Sequence, residues 1–130
     1  MILPDTTTPT PDAPSIRGTW QMIRAELAGE PAHALVVEHT TFEITGDRNF
    51  VRYDREVADR GRISFVSGEP HSTLTLRGTE GPNAGRSIPA IYQVRGDLLR
   101  ICYGLDGEPP TAFSSPPGFP RYLATYRRKK

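Results

Sequence analysis

Proline and glycine interrupt this chain so often that long helices are excluded. The 130 residues include 13 prolines and 12 glycines, whereas average usage is about 5% proline and 7% glycine. Proline removes a backbone donor and clashes inside a helix, and glycine costs conformational entropy there. Short strands joined by many turns tolerate both residues. A chain of this length is expected to form one domain with a self-sufficient core.

Segments in which apolar and polar residues alternate indicate strands. The alternation places Phe42 and Ile44 on one face of their segment. Gly46-Asp47 is typical of a turn, and Arg95-Gly96 favours a hairpin between its flanking segments. The predicted strands are residues 17–28, 40–45, 49–53, 62–66, 72–76, 87–94, 97–103 and 121–128.

Two segments need a separate interpretation. Residues 17–28 have a composition that also suits a helix, but Gly18-Thr19 at the start favours a long, bent strand. Residues 31–38 are the best candidate for a short helix, because proline suits the first helical turn. Residues 104–120 are predicted to form a long loop that borders one end of the sheet or crosses its outside.

Eight short strands with frequent turns predict an all-β, antiparallel architecture, either a barrel or a sandwich. A closed eight-stranded barrel has an interior large enough for side chains or for one small ligand. Residues 1–15 contain four prolines and four threonines with little apolar periodicity, and we expect a disordered arm there. The folded domain is predicted to span residues 16–130.

Several motifs in order resemble a known family. Gly18-Thr19-Trp20 opens the first strand, and the later motifs are residues 81–86 (GPNAGR), 90–103 (AIYQVRGDLLRICY), 109–115 (PPTAFSS) and 126–128 (YRR). Together they resemble a bacterial lipocalin-like (calycin) domain family first described as an uncharacterised planctomycete domain. The resemblance implies a lipocalin-like barrel of about eight strands with one short helix after the first strand.

The resemblance also implies how one end of the barrel closes. Gly18 and Trp20 would stand at a closed base, with Arg128 rather than Arg127 stacked across the tryptophan ring. Two positions depart from the family pattern, which has glycine at Ala90 and arginine at Pro109. Any shared function of that arginine would be lost in this chain.

Charge and composition exclude several classes of protein. The formal net charge is +1, which argues against a general nucleic-acid binder, because such proteins usually show a basic face. The basic run 127–130 is interpreted as a solvated tail. No apolar run is long enough for a membrane span, and the N-terminus lacks the features of a secretory signal. One cysteine, Cys102, excludes a disulfide framework and is interpreted as a small apolar core residue. A cytoplasmic location is the expectation.

Aromatic residues on the strands are the candidates for a ligand site inside a barrel. Phe42, Tyr53, Tyr92 and Tyr103 are predicted to contact a ligand, since a tyrosine ring packs on an apolar molecule while its hydroxyl group hydrogen-bonds to it. Arg52 is predicted as a fifth residue that contacts the ligand; it shares a face with Phe50 and is the charge to check first for a position in the lumen.

The histidines give little support for metal or cofactor chemistry. His33, His39 and His71 are too few for the three or four ligands of a usual metal site, so neither a metal nor a cofactor is expected. His39, beside Glu38, is the best single candidate for a general base.

Two functions from different classes follow. The first is binding of a small, mostly apolar molecule in the lumen, as the resemblance implies. The alternative is a cofactor-independent enzyme, such as an isomerase, cyclase or lyase, that uses the lumen as its active site. A filled barrel would instead favour an interaction module. The oligomeric state and the identity of the ligand are left open.

Overall fold

The fold is given by a computed structural model that describes residues 16–129. The predicted arm, residues 1–15, lies outside the described residues. Within 16–129 the chain forms nine strands and one helix: β1 (Gly18–Leu27), β2 (Glu30–Pro31), α1 (Ala34–His39), β3 (Thr40–Thr45), β4 (Arg48–Tyr53), β5 (Glu56–Val66), β6 (Ser72–Glu80), β7 (Ser87–Arg95), β8 (Leu98–Gly104) and β9 (Arg121–Arg128).

Eight of these strands close into an antiparallel barrel. Strands β3 to β9 pair in chain order, and β1 pairs with both β3 and β9. Strand β2 has two residues and pairs with the end of β1 alone. The all-β prediction is confirmed. Of the two architectures that the strand pattern left open, a barrel and a sandwich, the structure is a barrel. This closed barrel is compatible with a lipocalin-like fold.

The predicted bounds differ most around the helix and in β5. Helix α1 begins three residues later than predicted, because Pro31 pairs with Glu26 across a tight turn at Ala28 and Gly29. Strand β5 begins at Glu56 rather than Arg62. Its first half is polar and carries no clear alternation, but pairing with β4 extends it. The predicted bend in β1 occurs as a register shift between Met22 and Arg24.

The long loop crosses the outside of the barrel. Residues 105–120, here called the strap, lie over the outer face of β8. The Cys102 thiol is 3.4 Å from the Ser114 carbonyl oxygen, and the Arg100 guanidinium carbon lies 4.1 Å from the Phe113 ring centroid. The Ser115 hydroxyl group donates to the Glu26 carboxylate at 2.6 Å. Burial raises the pKa of Cys102, so its thiol stays protonated and is a poor nucleophile.

Candidate functional site

Trp20 and Arg128 meet at one end of the barrel. The two residues are directly opposite in the β1–β9 pairing, and the Arg128 guanidinium carbon lies 4.2 Å from the Trp20 ring centroid. Trp20 is completely buried, and its indole nitrogen donates to the Ile16 carbonyl at 2.8 Å. Arg128 Nη1 donates to the Arg17 carbonyl at 2.8 Å. We call this pair the plug.

Gly18 is the residue that lets the plug form. Its φ of +127° is a conformation that side chains rarely adopt, and a Cβ atom there would lie 2.9 Å from Arg128 Nη1. A larger residue would therefore meet both backbone strain and the guanidinium. Steric constraints at this end of the barrel therefore explain the glycine of the Gly18-Thr19-Trp20 motif.

A cavity occupies the other half of the lumen. Its volume is about 190 Å³, somewhat more than the roughly 150 Å³ that accommodates benzene in an engineered protein core. Thr40, Tyr103 and Tyr122 line it, and these residues stand at the ends of β3, β8 and β9 that are remote from the plug. The apolar part of the wall comes from Met22, Val51, Leu76 and Ile88. The barrel is thus packed at the plug and hollow beyond it.

The Gln21 side chain contacts the end of helix α1 beside this half. The Gln21 carboxamide nitrogen lies 3.1 Å from the Val37 carbonyl oxygen, 3.2 Å from that of Glu38 and 3.1 Å from that of Thr40. These contacts fix the last turn of α1 and the start of β3, where Thr40 reaches the cavity.

One wall of the cavity is polar. The Asp59 carboxylate accepts a hydrogen bond from Asn83 Nδ2 at 2.7 Å and another from the Arg60 backbone N–H at 3.0 Å. Asn83 is itself held by Arg86, whose Nη1 donates to its side-chain oxygen at 3.1 Å. Asp59, Arg60 and Asn83 all contribute to the lining. The β6–β7 loop, through Asn83, therefore helps to hold the Asp59 carboxylate in place.

Asn49 is the most unusual polar group of the lining. Its side chain is 4% exposed, and its amide oxygen is buried with no hydrogen-bond partner among residues 16–129. Leaving such a group unsatisfied costs about 1–3 kcal/mol. The residue opposite is Gly61, which has no side chain to cover the amide. A destabilising residue in a cavity wall is typical of a functional position.

Three tyrosines complete the lining. The rings of Tyr103 and Tyr122 stack with centroids 5.7 Å apart, and a hydrogen bond joins the hydroxyl groups of Tyr103 and Tyr126. Burial raises the pKa of all three phenols. The tyrosines therefore stay neutral at physiological pH and act as hydrogen-bond donors and acceptors, not as anionic bases.

The raised pKa values predict a loss of stability at high pH. Unfolded tyrosines ionise near pH 10, whereas the buried ones keep their protons to higher pH, so the unfolded chain binds fewer protons there and the free energy of unfolding falls. This contribution is fully present below pH 10 and is lost as the pH rises further. Urea titrations at several alkaline pH values measure the slope, which Tyr103→Phe is expected to flatten.

The matched control is Tyr53→Phe, because this ring is exposed and lies outside the cavity. An unchanged alkaline slope in Tyr103→Phe would contradict the prediction.

The structure separates the five residues predicted to contact a ligand. Of these, Tyr103 lines the cavity. Phe42 lies in the barrel core but does not line the cavity; its ring centroid is 5.5 Å from that of Tyr126. Tyr92 is also in the core, where it packs edge-on against Phe65 at 6.0 Å.

Arg52 and Tyr53 lie away from the cavity. Arg52 forms an ion pair with Glu43 and lies 5.4 Å from the Phe50 ring centroid, on the outer face of the barrel. The shared face of Phe50 and Arg52 is thus the outside, because Asn49 and Val51 occupy the inward positions of β4. Tyr53 ends β4, is 43% exposed, and packs against His39 at 5.4 Å.

Asn49 and Asp59 were not predicted from the sequence as site residues. The alternation in β4 places Asn49 and Val51 together, which is a signal that could have identified Asn49. Asp59 lies in the polar half of β5, where no pattern indicates a strand.

His39 also lies outside the cavity lining. Its Nδ1 pairs with the Asp54 carboxylate on the surface beside α1. Among residues 16–129, no three histidine, cysteine, aspartate or glutamate side chains are arranged to hold a metal ion. No helix in the described part of the chain is long and apolar enough to cross a membrane.

Comparison of the chain with protein-family models, with curated proteins and with solved structures found no match.

Proposed function

We propose that the protein binds a small, mostly apolar molecule in the cavity. The observation that carries the proposal is a hollow half-barrel whose wall combines aliphatic side chains with tyrosines and a few fixed polar groups. Ligand sites in proteins have this composition, with polar groups that orient a mainly apolar molecule. A filled barrel would have favoured an interaction module instead.

The cavity volume limits the size of the ligand. A site of about 190 Å³ accommodates a molecule on the order of ten non-hydrogen atoms, judged from the benzene-sized cavity of roughly 150 Å³. A fatty acid with a long chain is too large without rearrangement. A single ring with a short substituent fits.

Membership of the lipocalin-like family is part of the same proposal. The contact between Trp20 and Arg128, and the steric need for Gly18, support the resemblance carried by the sequence motifs. We further propose that the protein acts in the cytoplasm, where the single thiol of Cys102 would stay reduced.

A specific observation favours a second candidate, a cofactor-independent enzyme. Asp59 and neutral Tyr103 line the same cavity, and the Asp59 charge adds to the effect of burial in raising the pKa of Tyr103. A carboxylate and a phenol can act as the base and the proton donor of an isomerase or lyase that uses no metal.

Native mass spectrometry with a small-metabolite extract from the host tests both candidates. We expect a retained extra mass on the wild-type protein and its loss in Val51→Phe, which fills the cavity. Val66→Phe is the matched control, because Val66 is 63% exposed, and it should retain the mass. A retained mass that converts into another with time would support the enzyme. No retained mass, or equal retention by Val51→Phe, would contradict ligand binding in the cavity.

A further inference from the structure

We propose that the ligand carries a protonated amine, held between Asp59 and Asn49, on an apolar body that contacts the tyrosines. The inference rests on the proposed function, because it names the chemical class of the molecule in that same cavity. It is carried by a fixed carboxylate, by a buried amide with an unsatisfied oxygen, and by their placement on adjacent strands.

The pairing of β4 and β5 brings the two polar groups to one face. Val51 is opposite Asp59, and Asn49 is opposite Gly61, so Asn49 and Asp59 are diagonal neighbours. Such a diagonal spans about 7–8 Å, a gap in which one small group can contact both side chains. Gly61 places no side chain between them: a Cβ atom there would lie 3.1 Å from the Asn49 amide oxygen and 2.5 Å from the Arg77 carbonyl oxygen.

Asp59 has no cationic side chain paired with it among residues 16–129. Its hydrogen bonds come from the Asn83 amide and a backbone N–H. The Arg86 guanidinium is engaged with Asn83 and with the Leu105 carbonyl, at 3.1 and 2.5 Å. A ligand ammonium would therefore supply the missing counter-charge and form charge-assisted hydrogen bonds.

Arg60 is the cationic residue of this wall, but its guanidinium is directed outward. It lies 5.4 Å from the Phe50 ring centroid, and its Nη1 is 3.8 Å from the Glu80 carboxylate. Its Nε is buried without a hydrogen-bond partner in the described residues. Arg60 therefore raises a competing hypothesis, an anionic ligand. The experiment must distinguish an anionic ligand from a protonated amine.

The remaining groups suit a cation with an aromatic or aliphatic body. Tyr103, Tyr122 and Tyr126 stay neutral, so their oxygens accept hydrogen bonds from an N–H donor. A tyrosine ring also attracts a cation that lies over its face. The unsatisfied amide oxygen of Asn49 would gain the partner that residues 16–129 do not provide.

Four probes with a common benzyl or phenyl body test the proposal by calorimetry at pH 7: toluene, benzyl alcohol, benzylamine and benzoate. We expect benzylamine to bind at least about tenfold more tightly than toluene, the effect of one charge-assisted hydrogen bond. Asp59→Asn should remove this preference while it leaves the affinity for toluene unchanged. Asp47→Asn, at an exposed carboxylate outside the cavity, is the matched control and should keep the preference.

Asn49→Leu provides a second, independent readout. Because it removes the unsatisfied amide, we expect a higher urea midpoint of unfolding together with about a tenfold loss of benzylamine affinity. A purely structural asparagine would not produce a more stable protein that binds less well. This variant also keeps the proposal testable if Asp59→Asn does not fold.

The outcomes distinguish the two proposals. Equal binding of toluene and benzylamine would overturn the amine while binding in the cavity stands. Preference for benzoate would overturn the amine in favour of an anion at Arg60. If no probe binds and the metabolite extract leaves no mass, both proposals fail.

Discussion

Trp20→Ala is expected to destabilise the barrel by about 3–5 kcal/mol, the usual cost of deleting a large buried aromatic side chain. Trp20 has no exposed surface, and its indole nitrogen donates to the Ile16 carbonyl. The substitution leaves a void at the closed end and removes the ring that Arg128 covers. A urea titration followed by circular dichroism measures the change in the free energy of unfolding.

Two controls separate the plug from general effects on the strands. Ile23→Ala alters β1 at a side chain that is 40% exposed, and it should change stability by about 0.5 kcal/mol or less. Arg128→Ala should cost about 1 kcal/mol for the lost stacking, whereas Arg127→Ala, at the exposed neighbour, should be close to neutral. A Trp20→Ala protein with wild-type stability would show that the plug does not hold the barrel together.

Gly78→Ala is expected to destabilise the protein by about 1–3 kcal/mol, the usual cost of overpacking. A Cβ atom at Gly78 would lie 1.9 Å from the Asn83 carbonyl oxygen, and a backbone atom cannot move aside as the end of a flexible side chain can. The β6–β7 loop must therefore shift, and Asn83 would move with it away from Asp59. Weaker binding of cavity ligands should accompany the loss of stability.

Gly68→Ala is the matched control, because a Cβ atom there would meet its nearest neighbour, the His71 carbonyl oxygen, at 3.7 Å. This distance is an ordinary contact, so stability and binding should stay near wild type. Equal urea midpoints for the two alanine variants would mean that the loop accommodates the extra atom. In that case the close contact between Asn83 and Gly78 would not determine the position of Asp59.

The two halves of the barrel have different energetic character. The plug half contains Trp20, Phe42 and Tyr92, which are at most 1% exposed, and this packing stabilises the fold. The other half leaves a cavity, an unsatisfied amide at Asn49 and a carboxylate at Asp59. The cavity and the unsatisfied amide cost stability, and packing in the plug half offsets them. Substitutions that fill the cavity should therefore stabilise the protein at the expense of binding.

Local patterns in the sequence predicted most of the strand positions. Alternation identified residues 40–45 and 121–128 with the bounds that the structure has, and turn residues marked most connections. The first half of β5 was missed because its residues are polar and its strand state depends on pairing with β4. Pro31 was placed in the helix because its pairing with β1 is a contact that local propensity does not contain.

The sequence by itself determined the all-β class, because proline and glycine exclude long helices and alternation produces two-faced strands. It also indicated which residues share a face, since side chains of a strand alternate with period two. Only the tertiary structure decided which face lies inside and how deep each residue lies, because both depend on the closure and register of the barrel. Closure places Arg52 outside and Asn49 inside. Register separates Tyr103, in the cavity wall, from Tyr92, in the packed core.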